Sequence, residues 1–426
     1  MVVANAVLAR QRASKTVRRG LNRQGAPARG DAGTSVELFS GGGGLAIAMH
    51  KAGFRHLLLN EMNRRACGTL RANMAVDYFA AEARPATLGD PWPLIEGPVD
   101  QVDFGPFAGE VDVVAGGVPC QPFSLGGIHR GHHDERNLWP EFLRCVREIR
   151  PRVILAENVK GLLRPSFAPY WDYIRRALSA PFEERLEGET WRDHDRRLVK
   201  TLRAPSDSTE YYDIDFRLLN AADYGVPQSR QRVVLVGFRK DLAATWRWPV
   251  PTHSSSALAL AQQDGSYWER HGLSPLVEFP PPPDAVEDGL AAWRTLRDAI
   301  GDLPEPIERQ EHPGLIHHVG WPGARSYKGH TPNCLDKPAK TIKAGVHGVP
   351  GGETVLRLDD GSIRYMTVRE IARVMTFPDD WRLHGPRSEQ IRQLGNAVPV
   401  ELGVVIAKAV AAALAPHLRT TERVNR

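Results

Sequence analysis

A chain of 426 residues, 42% hydrophobic and 25% charged, has an ordinary soluble composition and enough length for roughly two or three domains. No apolar run approaches the roughly 18 residues that span a membrane, and the N-terminus lacks a signal peptide's apolar core. Four well-separated cysteines (Cys67, Cys120, Cys145, Cys334), with no C-x-x-C pair, argue against a zinc site or disulfide framework; no metal is expected, and a reducing cytoplasm suits them.

The formal charge of +5 is uneven. Residues 1 to 30 carry Arg10, Arg12, Lys15, Arg18, Arg19, Arg23 and Arg29 and no acid, so residues 1–32 read as a basic, disordered arm or as an arm that brushes a polyanion. The first ordered unit is SVELFSGGGGLAIAMHKAGFRHLLLNE. Ser35 to Phe39 predicts a strand, Gly41 to Gly44 a tight turn, Leu45 to Ala52 a helix capped by Gly53, and Arg55 to Asn60 a second strand ending at Glu61. A βαβ unit with an acid about 20 residues beyond a glycine turn is the layout that grips a ribose. The glycines do not match G-x-G-x-x-G, which disfavours a dinucleotide. S-adenosylmethionine needs the ribose clamp without the pyrophosphate cradle, and Phe39 would pack on its purine. A further strand-end acid is expected within residues 75 to 110, with Asp100 the choice and Asp90 the alternative.

Val111 to Arg136 opens on an apolar run, the mark of a buried parallel strand, and two glycines and a proline then leave Cys120 at its carboxyl end. Open α/β sheets place their chemistry there. A lone cysteine after a strand is often a small buried hydrophobe; followed by the polar, His- and Arg-rich stretch through Arg136, it also reads as a nucleophile under a lid. Leu138 to Ile149 has helical spacing that packs Cys145 inward. Val153 to Ala156 predicts another buried strand delivering Glu157, whose carboxyl should be partly desolvated and hold its proton near neutrality. Residues 180 to 210 read as a charged surface excursion. Beyond YYDIDFRLLN, Gln228, Arg230 and Arg232 alternate into the strand Val233 to Gly237 and, at period two, share one face as an anion or base-carbonyl clamp.

Residues 240 to 335 change character: four prolines (Pro280 to Pro283), scattered tryptophans, many histidines and little periodicity suit a recognition module or a loose spacer. Lys340, Lys343 and His347 lie among glycines in a phosphate- or base-contacting loop. Thr367 should cap a helix that ends at Pro378, and Ser388 should cap a last amphipathic helix running on through QLGNAVPV.

Taken together, VELFSGGGG, GGVPCQPFS, ENV, QSRQR, TVREIARVMTFPDDW and QLGNAVPV, in this order, resemble the motifs of the C5-cytosine-specific DNA methyltransferases from about residue 33 to 415. Glu37 stands where the family more often has Asp. The resemblance implies an α/β fold: a Rossmann-like S-adenosylmethionine-dependent methyltransferase domain (33–239, completed by 388–415) with a smaller, loop-rich domain (240–387) holding the target-recognition region (about 240–335). It implies Cys120, Glu157, Arg230 and Arg232 as catalytic residues, with Cys120 adding to cytosine C6, Glu157 bonding N3 and the exocyclic amine, and Arg232 holding O2. Phe39, Ser40, Gly41, Gly43, Gly44, Glu61, Asp100, Asn396 and Val398 would line the S-adenosylmethionine site, and Gln121, Ser124, Gln228 and Lys343 would meet double-stranded DNA. A monomeric cytoplasmic enzyme follows, partnered by a restriction endonuclease or other defence proteins, with no membrane role. The family's tRNA-methylating branch carries a Cys-Phe-Thr signature not found here. A non-catalytic DNA-binding regulator is the reading from a different class, and the intact Cys120, Glu157 and Arg232 argue against it.

Overall fold

The computed structural model describes residues 32–79, 84–119, 137–203, 207–274, 287–325, 331–344 and 354–424. Cys120, Gln121, Ser124, His347, Pro280 to Pro283 and nearly all of the basic arm lie outside the described residues.

An eight-stranded sheet forms the frame: β1 (Thr34–Leu38), β2 (Arg55–Glu61), β3 (Ala75–Asp77), β4 (Trp92–Glu96), β5 (Val113–Gly117), β6 (Val153–Val159), β7 (Tyr212–Asn220) and β8 (Gln231–Arg239), in the order β3-β4-β2-β1-β5-β6-β8-β7. The first six are parallel, and β8 then runs antiparallel to both β6 and β7. The helices are α1 (Gly44–Lys51), α2 (Arg64–Asn73), α3 (Trp139–Ile149), α4 (Ala168–Ser179), α5 (Trp191–Thr201), α6 (Ser255–Gln263), α7 (Ser266–Arg270), α8 (Leu296–Ile300), α9 (Val368–Val374), α10 (Arg387–Asn396) and α11 (Val400–Val424).

Side chains of alternate strand residues enter different cores, as the pleat requires. Val114 and Ile154 join Phe142, Val146, Trp171 and Ile174 from α3 and α4 on one face. Val113, Ala115 and Leu155 join Leu45, Met49, Leu402, Ile406 and Val410 from α1 and α11 on the other. Coverage on both faces is why these strands read as unbroken apolar runs. A third cluster unites α2, β2 and β4 (Leu70, Leu59, Leu94) with Ile371, Met375, Phe377, Trp381 and Leu394, so the chain beyond residue 366 packs directly on the sheet domain. The region between has a small core of its own, Leu258, Tyr267 and Trp268. Two three-stranded sheets extend it, one from Ile307–Glu308, Glu311–His312 and Leu315–Gly320, the other from Asn333–Cys334, Val355–Arg357 and Ile363–Tyr365.

Several expectations are corrected. Residues 180 to 210 are not a bare surface excursion: Thr190 caps α5 by accepting from the Asp193 amide (3.2 Å), and Trp191, His194 and Leu198 are buried. The hard-to-register stretch before residue 110 contains β4, with Pro93 inside it. The last helix is two helices, with Pro386 rather than Ser388 at the start of α10. Pro399 bars Val398 from helical geometry, and the chain turns there before resuming as α11. One stretch of the described residues, 387–418, is long and apolar enough to cross a membrane by composition, which the sequence reading denied. More than half of its most apolar window is buried inside the protein, its apolar side packed on α1 and the sheet.

Candidate active site and cofactor site

Register brings the carboxyl ends of five strands into line. Leu38 of β1 pairs with Asn60 of β2 and Gly116 of β5, Glu61 pairs with Glu96 of β4, and Gly117 pairs with Glu157 of β6. The segments leaving these ends therefore share one edge of the sheet.

β1 hands over to the glycine turn through Phe39, whose φ of 59° is left-handed, rare for an aromatic residue and typical of strained functional turns. Gly43 follows the same logic at φ 93°. Gly44 is demanded by packing: a Cβ there would lie 2.4 Å from the Val398 carbonyl oxygen and 3.0 Å from Ala397 Cβ. The turn between α10 and α11 thus closes on the glycine turn, placing Val398 (buried) beside it and leaving Asn396 exposed at the end of α10. By contrast a Cβ on Gly41 would meet nothing within 4 Å, so the turn has one open side. Ser40 is buried, its amide bonded to the Asn60 carbonyl (3.1 Å).

Glu61 ends β2 against that open side. Its Oε2 accepts from the Gly41 amide (2.8 Å) and its Oε1 from the Asn63 amide (2.7 Å), and burial raises its pKa against these bonds. Asn60 ties this corner to the loop after β4 by donating to the Ile95 (3.2 Å) and Gly97 (3.0 Å) carbonyls. Asp100 lies in that loop, exposed, in the turn Val99–Gln101. Asp90 sits before β4, at the opposite end of the strand, and its carboxylate is occupied by the Ala86 and Thr87 amides (2.9 and 2.8 Å). Strand direction therefore favours Asp100 over Asp90. The open glycine, the strand-end acid and the closing 397–398 turn suit an adenosine carrying a flexible cationic tail; no pyrophosphate cradle is built.

Next along the edge, Glu157 and Arg232 form an ion pair (Oε1 to Nε, 2.8 Å), with both side chains 11% exposed. Burial raises the Glu157 carboxyl above its ordinary pKa even though Arg232, and then Arg230, pull it down. A Cβ added to Gly117 would lie 3.6 Å from Glu157 Oε2, so the carboxyl stands over the strand three residues before Cys120. Asn158 donates to the Val118 carbonyl (3.1 Å), fixing the exit from β5 relative to the end of β6. Of the described cysteines, burial raises Cys67 to about 12 and Cys145 well above the usual thiol range, which leaves both inert.

The shared clamp expected from Gln228, Arg230 and Arg232 is not found. Arg230 is fully buried and donates to the Ile342 (2.8 Å), Gly395 (2.7 Å) and Ala397 (3.0 Å) carbonyls. Gln228 is also fully buried: its Oε1 accepts from the Ile342 amide (3.1 Å) and its Nε2 donates to the Met375 thioether Sδ (3.0 Å). These two side chains bolt the 339–344 segment and the 395–397 turn to β8; neither is free to meet DNA. Only Arg232 faces Glu157. Lys343 is exposed, and its backbone passes within 2.7 Å of where a Cβ on Gly395 would stand. Sequence reasoning missed Trp381, whose indole Nε1 donates to the Gly42 carbonyl (3.0 Å), and Gln393, packed behind the same glycine. A separation of 339 residues leaves no local signal for the first contact.

A mostly parallel sheet with a glycine turn, an acid one strand along and a buried Glu–Arg pair on the same edge has the architecture of a Rossmann-like methyltransferase. The chain belongs to the C-5 cytosine-specific DNA methylase family, which it matches over residues 33–180 and 192–412, and it is a DNA (cytosine-5-)-methyltransferase. The unmatched residues 181–191 lead into α5. The chain is 33% identical over 397 residues to the type II methyltransferase M.Eco47II of Escherichia coli, across 88% of this chain and 78% of that protein. It is 32% identical over 393 residues to M.PspPI of Psychrobacter sp. (strain TA137), with the same coverages. The crystal structure of the S. pombe Dnmt2 methyltransferase shares the fold at a TM-score of 0.51 and 16% identity, covering 90% of this chain and 98% of that one.

Proposed function

We propose that the enzyme methylates a cytosine flipped out of duplex DNA by transient covalent catalysis, as the modification half of a restriction–modification system or a related defence in the cytoplasm. Cytosine C5 is a poor nucleophile, and C6 is stacked inside the duplex, so the base must first leave the helix at a cost of about a few kcal/mol. Cys120 adds as thiolate to C6, and the electron pair of the C5–C6 bond moves to C5. Glu157, its pKa raised by burial, hydrogen-bonds N3 and the exocyclic amine and stabilises charge as C6 is attacked. Arg232 holds both Glu157 and O2. Glu61, with Asp100 and the open glycine turn, would hold S-adenosylmethionine, whose sulfonium would give its methyl group to C5 with S-adenosylhomocysteine as the leaving group. A base then takes the C5 proton, and elimination restores the C5–C6 bond and frees Cys120.

The observation that carries this reading is the buried Glu157–Arg232 pair in register with the strand leading to Cys120. Residues 240–335 are proposed as the target-reading region and 33–239 with 388–415 as the catalytic domain. The reaction sequence is tested with a duplex carrying 5-fluorocytosine at the target. Fluorine cannot leave C5 as a cation, so the enzyme should stall after methyl transfer as a complex that survives denaturing electrophoresis. Trapping should require S-adenosylmethionine, stop in Cys120→Ser and persist when Cys67, Cys145 and Cys334 are changed to Ser. Absence of a complex from an otherwise active enzyme sinks the covalent route. A tRNA transcript assayed beside the duplex tests the RNA alternative.

A further inference from the structure

We infer that Trp381 and Gln393 are positioning residues for the cofactor: they hold the glycine turn from behind, so that the segment leaving the recognition region helps to set affinity for S-adenosylmethionine. This rests on the proposed cofactor site and concerns residues that would not touch the ligand.

The turn has an open front at Gly41 and a packed back. Trp381 is 5% exposed and donates its indole N–H to the Gly42 carbonyl (3.0 Å). The edge of its ring abuts the turn: a Cβ on Gly43 would lie 2.9 Å from Trp381 Cζ2 and 3.0 Å from Leu70 Cδ2. Gln393 stands behind Gly42, 3.2 Å from where a Cβ there would be. Gln393 is itself locked in a closed ring of three hydrogen bonds. The Thr69 hydroxyl donates to its Oε1 (2.7 Å), its amide donates to the His384 carbonyl (3.0 Å), and the His384 amide donates back to Thr69 (2.8 Å). Both polar atoms of the Gln393 side chain thus have partners in the ring, which orient it behind Gly42. The ring also joins α2 and α10 to residues 381–384, and the Leu383 amide donates to His317 of the strand Leu315–Gly320 (2.9 Å).

A turn containing two left-handed glycines and a left-handed Phe39 is flexible and strained when unsupported. Support from behind keeps its open side in the shape that the ligand meets, which is preorganisation of binding. Glu157 lies on another strand, β6, and its chemistry should be indifferent to it.

The test uses the full chain, S-adenosylmethionine and S-adenosylhomocysteine as probes, and isothermal calorimetry. Trp381→Phe keeps the ring and removes the donor; Thr69→Val opens the three-bond ring without touching the turn. Each should raise the dissociation constant for both probes about 5- to 10-fold: Trp381→Phe loses one hydrogen bond to the turn itself, and Thr69→Val loses two that hold Gln393 behind it. The KM for S-adenosylmethionine should rise by the same factor with little change in kcat, and duplex affinity should hold, while the buried groups left unpaired lower the melting temperature without ligand by a few degrees. Unchanged probe affinity in folded Trp381→Phe and Thr69→Val overturns the inference, as does a parallel loss of probe affinity, duplex affinity and melting temperature, which marks a merely structural role. Failure of the unaltered enzyme to bind either probe would instead strike the cofactor site itself.

Discussion

Arg230 and Arg232, two residues apart on β8, should fail in different ways when replaced. Arg230→Ala removes a fully buried guanidinium and strands the carbonyls of Ile342, Gly395 and Ala397 that it now serves at 2.7–3.0 Å. Bonds to a charged donor contribute about 1.5–3 kcal/mol each, but desolvating the guanidinium takes back a large share, leaving a net loss of about 3–5 kcal/mol. At about 2–4 °C per kcal/mol for chains of 150–250 residues, and less for a longer one, the melting temperature should fall by roughly 5–10 °C. Arg232→Ala breaks one ion pair at 2.8 Å at the edge of the site. Burial already raises the Glu157 pKa, and without the arginine the carboxyl takes up a proton more readily, so the stability loss should be about 1–2 kcal/mol. Its catalytic loss should be larger, about 10²- to 10³-fold in kcat, because a charged donor at the reacting base is gone. Scanning calorimetry and single-turnover transfer of a radiolabelled methyl group read the two axes separately. A normally stable Arg230→Ala that had lost its chemistry would refute the division.

Two further outcomes follow from buried carboxylates. Glu61→Ala should weaken S-adenosylmethionine binding by about 1.5–3 kcal/mol, through a lost charge-assisted ribose contact and the loss of its bond to the Gly41 amide; unaltered calorimetry in a folded variant removes Glu61 from the site. Glu37, 1% exposed with Oε2 unpartnered, has a pKa raised well above the ordinary value by burial, partly offset by Ser40 and the Ala46 amide. Its neutral form is favoured in the folded state, so its contribution is intact below the unfolded value of about 4.3 and is lost as pH rises toward the folded one. Glu37→Gln has no such loss, and its melting temperature relative to the parent should climb between pH 5 and pH 8; a pH-independent difference contradicts the burial argument.

The sheet domain was legible because its strands are buried on both faces. Val113–Ala115 and Val153–Ala156 could be read as continuous apolar runs, and Gly117, Pro119 and Pro151 marked where they begin or end. The β1–α1–β2 unit and the strand-end placement of Glu61 and Glu157 followed from the same signals. β4 escaped because it has five residues and a proline. α5 escaped because its apolar residues, Trp191, Leu198 and the partly buried Leu202, are diluted by charge, although the Thr190–Asp193 cap was there to be read. The expectation that Gln228, Arg230 and Arg232 act together failed for a different reason. Period two fixes the face of a regular strand, but β8 begins at Gln231, and Gln228 belongs to an isolated bridge with Ala339. What a side chain faces there depends on chain more than 100 residues away.

That dependence shows where this fold can vary. α6 and α7 close over a small core of their own at Leu258, Tyr267 and Trp268, so changes in this part of residues 240–335 need not disturb the sheet. Beyond residue 366 the freedom ends. Ile371, Met375, Phe377 and Trp381 share a core with β2 and β4, the Thr376 hydroxyl accepts from the Glu401 amide at the start of α11 (2.9 Å), and Val398 closes on Gly44. The proposed recognition region, flanked by β8 on one side and by this bolted segment on the other, can be rebuilt while the proposed cofactor edge keeps its geometry. The bolts themselves, Arg230, Gln393, Gly44 and Gly395, meet backbone or fully paired groups at contact distance and leave no such latitude.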